Sequence, residues 1–167
     1  MSLRSFTLHD LIKRNARLYG SNTALVFGDQ RVTHAQYAER TARLAAGLAA
    51  AGVGQGDRLA ILAPNCLEYV DLFGAAAQLG VIVVPINWRL SAEEVAYVIE
   101  DVAPRVLIVA DEFQALLPQS GLDDKLRYPL GVAPAPWHPV SALFLDRTVR
   151  PADLNDDEGL VIMHTAA

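Results

Sequence analysis

Apolar positions recur along this chain in two periods, and the switches between them mark out its elements. Leu8, Leu11, Ile12 and Ala16 share one face of a helix expected over 8–19. Thr7 with Asp10 forms a capping box, Phe6 and Leu11 staple the entry, and Gly20 stops the helix. A hairpin follows, with strands at 24–27 and 31–33 around a three-residue loop, Gly28-Asp29-Gln30. An alanine-rich helix is expected over 34–51, with Ala38, Ala45, Leu48 and Ala49 near one face and Gly52 ending it. Arg58-Leu59-Ala60-Ile61-Leu62 reads as a buried strand, 67–79 as a helix apolar nearly all round, and Val81-Ile82-Val83-Val84 as a strand rich in β-branched residues. Ser91 with Glu94 is a second capping box and Leu90 with Val95 a second staple. Val95, Val98, Ile99 and Val102 then keep one helical face until Pro104. Val106-Leu107-Ile108-Val109 is another buried strand. Helices alternating with strands at this spacing imply βαβ units. The fold class is α/β, a mainly parallel sheet with flanking helices and an early β-hairpin.

Beyond Asp111 the periodicity weakens. A short helix is expected at 114–117. The segment 128–140 holds Pro129, Pro134, Pro136 and Pro139 and reads as a loop. Ala142 to Leu145 reads as one more strand, 153–158 as an acidic turn, and Gly159 to Met163 as the last strand. The chain thus divides into an α/β subdomain at 1–127, a proline-rich loop at 128–141 and a tail of further strands at 142–167.

Composition narrows the functional classes. A chain of 167 residues with 52% hydrophobic and 20% charged residues has enough apolar material for a core. A net charge of -5 argues against a nucleic-acid partner. The single cysteine, Cys66, excludes an intrachain disulfide and suits a cytoplasmic location. The start has no signal-peptide pattern, and no apolar run approaches a membrane span, so no transmembrane segment is expected.

Several glycines invite a phosphate loop and do not fit one. Gly52-Val53-Gly54-Gln55-Gly56-Asp57 lies after a helix and before a strand, the reverse of a dinucleotide fingerprint, and reads as a helix stop and tight turn. Ligands of open parallel sheets bind beyond the carboxyl ends of the strands. That rule selects Pro64-Asn65-Cys66, Pro85 to Arg89, Asp111-Glu112 and His164-Thr165. Arg89 can grip phosphate bidentately or pair with Glu93 or Glu94. Asn65 fits a helix cap, Asn87 a self-closing turn and Trp88 packing. His9, His34, His138 and His164 lack metal-ligand spacing, so no transition metal is expected. The acidic turn lacks the spacing of a calcium loop. There is no Gly-x-Ser-x-Gly elbow, and Cys66 lies in an apolar context with no neighbouring histidine. These residues alone describe a soluble α/β domain.

One ordered set of segments carries more. Ala24-Leu25-Val26-Phe27, Arg31 to Tyr37, Leu44 to Leu48, Gly56 to Asn65 and Gly80 to Leu90 resemble, in order and spacing, the amino-terminal region of acyl- and aryl-CoA synthetases of the adenylate-forming superfamily. The segment Asp156 to Met163 resembles the acidic turn and strand that lead into that family's ATP-phosphate loop, whose first positions fall on His164-Thr165-Ala166-Ala167. Thr165 matches the family pattern, whereas Ala166 and Ala167 replace its Ser and Gly. The resemblance implies a Rossmann-like subdomain and, in the intact enzyme, a two-step ligation of a carboxylic acid to CoA with ATP and magnesium. It implies Thr165 as an ATP-phosphate contact and leaves Arg89 as the candidate for a CoA-phosphate contact. The family's catalytic glutamate and lysine lie downstream, so no catalytic residue is assigned here. No ligand is expected to bind this chain alone, and no ligase activity is expected from it. Fatty or aryl acids are the expected substrates. Self-association is expected to cover apolar surface left open. Two alternatives remain: a non-catalytic binding or scaffolding module, and a degenerate synthetase with an impaired ATP loop.

Overall fold

A computed structural model describes residues 6–122, 126–131, 137–154 and 158–164. Helix α1 (Leu8–Tyr19) starts at the Thr7 capping box, where the Thr7 hydroxyl accepts from the Asp10 N–H and the Asp10 carboxylate accepts from the Thr7 N–H. Strands β1 (Thr23–Phe27) and β2 (Gln30–Thr33) form the antiparallel hairpin. Its loop is Gly28-Asp29, one residue shorter than expected, because Gln30 joins the ladder opposite Phe27 and Gly28 supplies a positive φ of 56°. A third capping box, Thr33 with Gln36, opens helix α2 (His34–Ala50) directly from β2.

The remaining elements build the parallel sheet. They are β3 (Arg58–Leu62), α3 (Leu67–Leu79), β4 (Ile82–Ile86), α4 (Ala92–Val102), β5 (Val106–Val109) and β6 (Leu126–Pro129). The strand order is β4-β3-β5-β6, all parallel. Both faces are buried, and the period-two alternation sorts side chains between them. Leu59, Ile61, Val83, Val106 and Ile108 pack with Leu44, Leu48, Leu72 and Ala76 of α2 and α3. Ala60, Leu62, Val84, Ile86, Leu107 and Val109 pack with Val95, Val98, Ile99 and Val102 of α4. The fold is therefore α/β, with helices covering both faces of the sheet and the hairpin beside it. Among the described residues no helix is long and apolar enough to cross a membrane.

Four expectations are corrected. Strand β4 begins at Ile82 and runs through Pro85 to Ile86. The Val83 N–H donates outward to Leu160, so the N–H that Pro85 lacks would also point to the outer edge, where no ladder bond is lost. The loop expected from 128 contains the end of β6, in which Tyr128 and Pro129 pair with Ile108 and Val109 of β5. The strand expected at 142–145 is a 3-10 helix, Val140–Leu143, whose Val140 and Leu143 are buried in the core under α2. The strand expected at 159–163 reduces to one parallel bridge, Val161 to Val83.

Candidate functional site: a crevice at the sheet's switch point

Chain order and strand order together locate the site. From β3 the chain places β4 on one side and then β5 and β6 on the other. The connection that follows β3 runs to β4 and the one that follows β5 runs the opposite way to β6, which opens a crevice beyond the carboxyl ends of β3 and β5. The structure has a cavity of about 320 Å³ there, lined by Pro64, Asn65, Cys66 and Glu68 after β3 and by Ala110, Asp111 and Glu112 after β5. Leu130 and Gly131 after β6 close it.

Each wall has a local cause. Cys66 is the N-cap of α3 in extended conformation, and it gives the helix no side-chain capping bond. Burial pushes its thiol up to about 11, so it stays protonated and inert at neutral pH. Asn65, expected as the cap, is instead an exposed residue one position earlier. Asp111 opens a 3-10 helix, Asp111–Leu116, and accepts from Gln114 Nε2 at 3.3 Å. Its carboxylate lies against the Gly131 backbone, where a Cβ would lie 2.8 Å from Asp111 Cγ, so a larger residue at 131 would have to displace the Asp111 side chain.

The turn after β4 flanks this crevice. The Asn87 side-chain oxygen accepts from the Arg89 N–H at 3.0 Å, and the Asn87 carbonyl accepts from the Leu90 N–H at 3.1 Å. Asn87 thus closes its own turn, as expected of it. Trp88 lies 5.9 Å from Phe113, joining the turn to the crevice wall after β5. The exposed Arg89 guanidinium stacks 4.6 Å above the Trp88 ring. Glu94 is committed to the Ser91 cap.

Three of the four shortlisted segments therefore meet at one edge, and the fourth does not. His164 turns onto the flank of α4, where Nε2 lies 2.9 Å from Asp101 Oδ2 and the ring meets Tyr97 edge-on. Thr165 lies outside the described residues. Glu68, Leu130 and Gly131 were not expected at the crevice. The last two depend on β6, which has no clear signature in the sequence.

The charge of the crevice limits what it holds. Its ionisable carboxylates are Glu68, Asp111 and Glu112, and no lysine or arginine is among its described lining residues. Three carboxylates repel a polyphosphate at this range. Among the described residues no group of three or more His, Cys, Asp or Glu is arranged to hold a metal ion. These residues do not by themselves fit a nucleotide phosphate.

The sequence matches the AMP-binding enzyme family over residues 12–166. The chain belongs to that family. This chain is 38% identical over 118 residues to a feruloyl-CoA synthase of Amycolatopsis, a match covering 71% of this chain and 24% of that protein. It is 45% identical over 80 residues to the long-chain-fatty-acid–CoA ligase FadD13 of Mycobacterium tuberculosis, covering 48% of this chain and 16% of the other. Among solved structures it is similar to a long-chain-fatty-acid CoA ligase of Rhodopseudomonas palustris, with a TM-score of 0.91 and 40% identity. That superposition covers 99% of this chain and 43% of the other. The chain spans roughly a quarter or less of the curated relatives it matches, between 16% and 27% for these and for a fatty acid–acyl-carrier-protein ligase of Streptomyces coeruleorubidus. The resemblance to acyl- and aryl-CoA synthetases, and the fold it implied, are borne out.

Proposed function

We propose that this chain is the amino-terminal portion of an ATP-dependent acid–thiol ligase that joins a fatty or aryl carboxylic acid to CoA. The observation that carries the reading is the superposition of nearly the whole chain, at 40% identity, on 43% of a long-chain-fatty-acid CoA ligase. The reaction is carboxylate plus ATP to acyl-adenylate and pyrophosphate, then thiol displacement of AMP. In this reading the present residues are scaffold. They set the crevice edge against which the rest of the enzyme completes the site, and the cations needed for phosphate come from outside the described lining. This agrees with the acidic lining of the crevice. Thr165 is the contact for an ATP phosphate and Arg89 for a CoA phosphate. A cytoplasmic location goes with the reading.

The test is a coupled assay of pyrophosphate release with fatty and aryl acids. The polypeptide 1–167 is expected to release none, and the product of a gene extended past Ala167 is expected to release it and to form acyl-CoA. Turnover by the 167-residue polypeptide would overturn the scaffold reading. The degenerate alternative is favoured by Ala166 and Ala167, which replace a Ser and a Gly of the family pattern. It requires that calorimetric titration of the extended product with ATP show no heat of binding.

A further inference from the structure

Helices α1 and α2 leave a cavity between them. His9, Ile12 and Lys13 stand at i, i+3 and i+4 on α1, and Ala38, Thr41 and Ala42 take the same spacing on α2. These two faces line a space of about 230 Å³, which Gln78 near the end of α3 closes together with Val149 and Pro151. Methyl groups are all that Ala38 and Ala42 put into it. Hydrogen bonds pin the wall. Gln78 Nε2 donates to the Val149 carbonyl at 3.1 Å, and the Ala152 N–H donates to the Gln78 carbonyl at 2.8 Å. The Thr41 hydroxyl donates to the Ala38 carbonyl at 3.0 Å. These bonds fix the shape in advance of any ligand.

Helix α1 brings two uncommitted polar groups to this cavity. His9 Nε2 is buried and has no hydrogen-bond partner. A buried polar atom of that kind is rare in a folded protein and calls for a partner. One turn on, Lys13 is exposed, and among the described residues it has no ion-pair partner within 4.0 Å. Asp10, the one acid on α1, is held in the Thr7 cap. Burial, and then Lys13, keep His9 below the usual imidazole range, so the ring is neutral at pH 7 and carries a single N–H. A neutral donor beside one ammonium suits an acceptor with a single negative charge. The rest of the lining is chiefly apolar, from Ile12, Ala38, Ala42, Val149 and Pro151.

We propose that this cavity binds a small monocarboxylate, with the carboxylate between His9 Nε2 and Lys13 and the apolar body against α2 and the 149–151 segment. The volume lies below the roughly 300–1,000 Å³ of drug-sized ligands, so the occupant is a short-chain or single-ring acid. The cavity is separate from the acidic crevice. Glu68 lines the crevice and Gln78 the cavity, and these two residues of α3 are about 15 Å apart along the helix, at roughly 1.5 Å per residue. The crevice, with carboxylates and no lysine or arginine in its described lining, does not compete for an anion. The inference does not rest on the ligase reading, since it concerns binding by these residues alone.

The test is an NMR titration of the isotope-labelled full chain with hexanoate, hexanol and hexylamine, which share a length and differ in charge. Hexanoate is expected to saturate with a Kd on the order of 1 mM, the affinity open to so small a ligand, and to move the His9 ring and Lys13 resonances. Hexanol should bind about tenfold more weakly, because it lacks the charge that His9 and Lys13 serve, and hexylamine not at all. His9→Phe, which keeps a ring without a donor, should weaken hexanoate about tenfold and leave hexanol unchanged. Lys13→Gln should weaken hexanoate roughly two- to fivefold. Ala42→Leu fills the space without touching the charges and should abolish binding of both. No saturable binding of hexanoate, equal binding of the three probes, or hexanoate binding that survives Ala42→Leu would each overturn the proposal. If a variant fails to fold, the ranking of the probes and the His9 and Lys13 resonances of the unmodified chain still decide it.

Discussion

Replacing Gly47 with alanine sets two effects of opposite sign against each other. Gly47 lies inside α2, where alanine is the better helix former by about 1 kcal/mol. Propensity alone therefore makes Gly47→Ala stabilising. The structure reverses the sign. A Cβ at position 47 would lie 2.5 Å from the Leu143 carbonyl carbon, 2.7 Å from its Cα and closer still to its oxygen. All three are backbone atoms, so no side-chain rotation relieves the clash. Comfortable contact needs about 3.5 Å, so the 140–143 segment must move off α2 by roughly 1 Å or more. That movement loosens Val140 and Leu143, which are 2% and 4% exposed, and strains the bond from Arg43 to the Phe144 carbonyl. Full exposure of two such side chains would cost roughly 3–6 kcal/mol, and partial movement a fraction of it. Set against the helix gain, the expected net loss is about 2–3 kcal/mol. Urea unfolding followed by circular dichroism measures it as a lower midpoint. A reduced slope as well would mean that the segment has already left α2 in the folded state. Gly54→Ala is the control, because nothing lies within 4 Å of a Cβ there and its φ is not positive. If Gly47→Ala is as stable as the parent or more so, the close approach of the 3-10 segment to α2 is refuted.

Three further outcomes are expected. Arg40 donates to Asp71 through Nε at 3.0 Å and through Nη2, and Asp71 is fully buried. Burial holds the Asp71 carboxyl above its usual range despite Arg40, so folding favours its protonated form and stability falls as pH rises through the raised value. Arg40→Leu removes the compensating cation and should destabilise by about 2–4 kcal/mol at neutral pH, less than a fully buried pair would because the Arg40 side chain is 33% exposed. The loss should shrink in urea melts as pH falls and the carboxyl protonates, and a loss independent of pH would refute the buried-charge account. Cys66, with its thiol pushed up to about 11, should resist Ellman's reagent at pH 8 until urea unfolds the chain. Rapid stoichiometric labelling of the native protein would contradict that. In the extended enzyme, Arg89→Ala should raise the KM for CoA severalfold and leave the KM for ATP unchanged. An unaltered CoA dependence removes Arg89 from that role.

The legible parts of the fold were those set by neighbours a few residues apart. The capping boxes of Thr7 with Asp10 and Ser91 with Glu94 are side chains bonding backbone three positions away, and both helices begin where those pairs place them. The Thr33 with Gln36 box follows the same three-residue spacing and opens α2 in the same way. Strand β5, and β3 after Arg58, are apolar because helices bury both of their faces, so they stand out in sequence. Strand β6 does not, since Leu126-Arg127-Tyr128-Pro129 is short, holds a charge and ends in proline, and becomes a strand only because β5 offers it an edge.

The site divides the same way. The sequence by itself determined which segments end strands, hence that Asn65, Arg89 and Asp111 belong to one rim, because direction along a parallel strand follows from chain order. Tertiary structure alone decided the strand order β4-β3-β5-β6, which opens the crevice between β3 and β5 and brings Gly131 against Asp111. It also turned His164 away to Asp101 and buried Asp71 against Arg40. These are pairings between residues 20 to 63 positions apart. Local periodicity is blind to them, because they are selected by packing, the exclusion of water and charge compensation in the folded core rather than by any preference of the chain nearby.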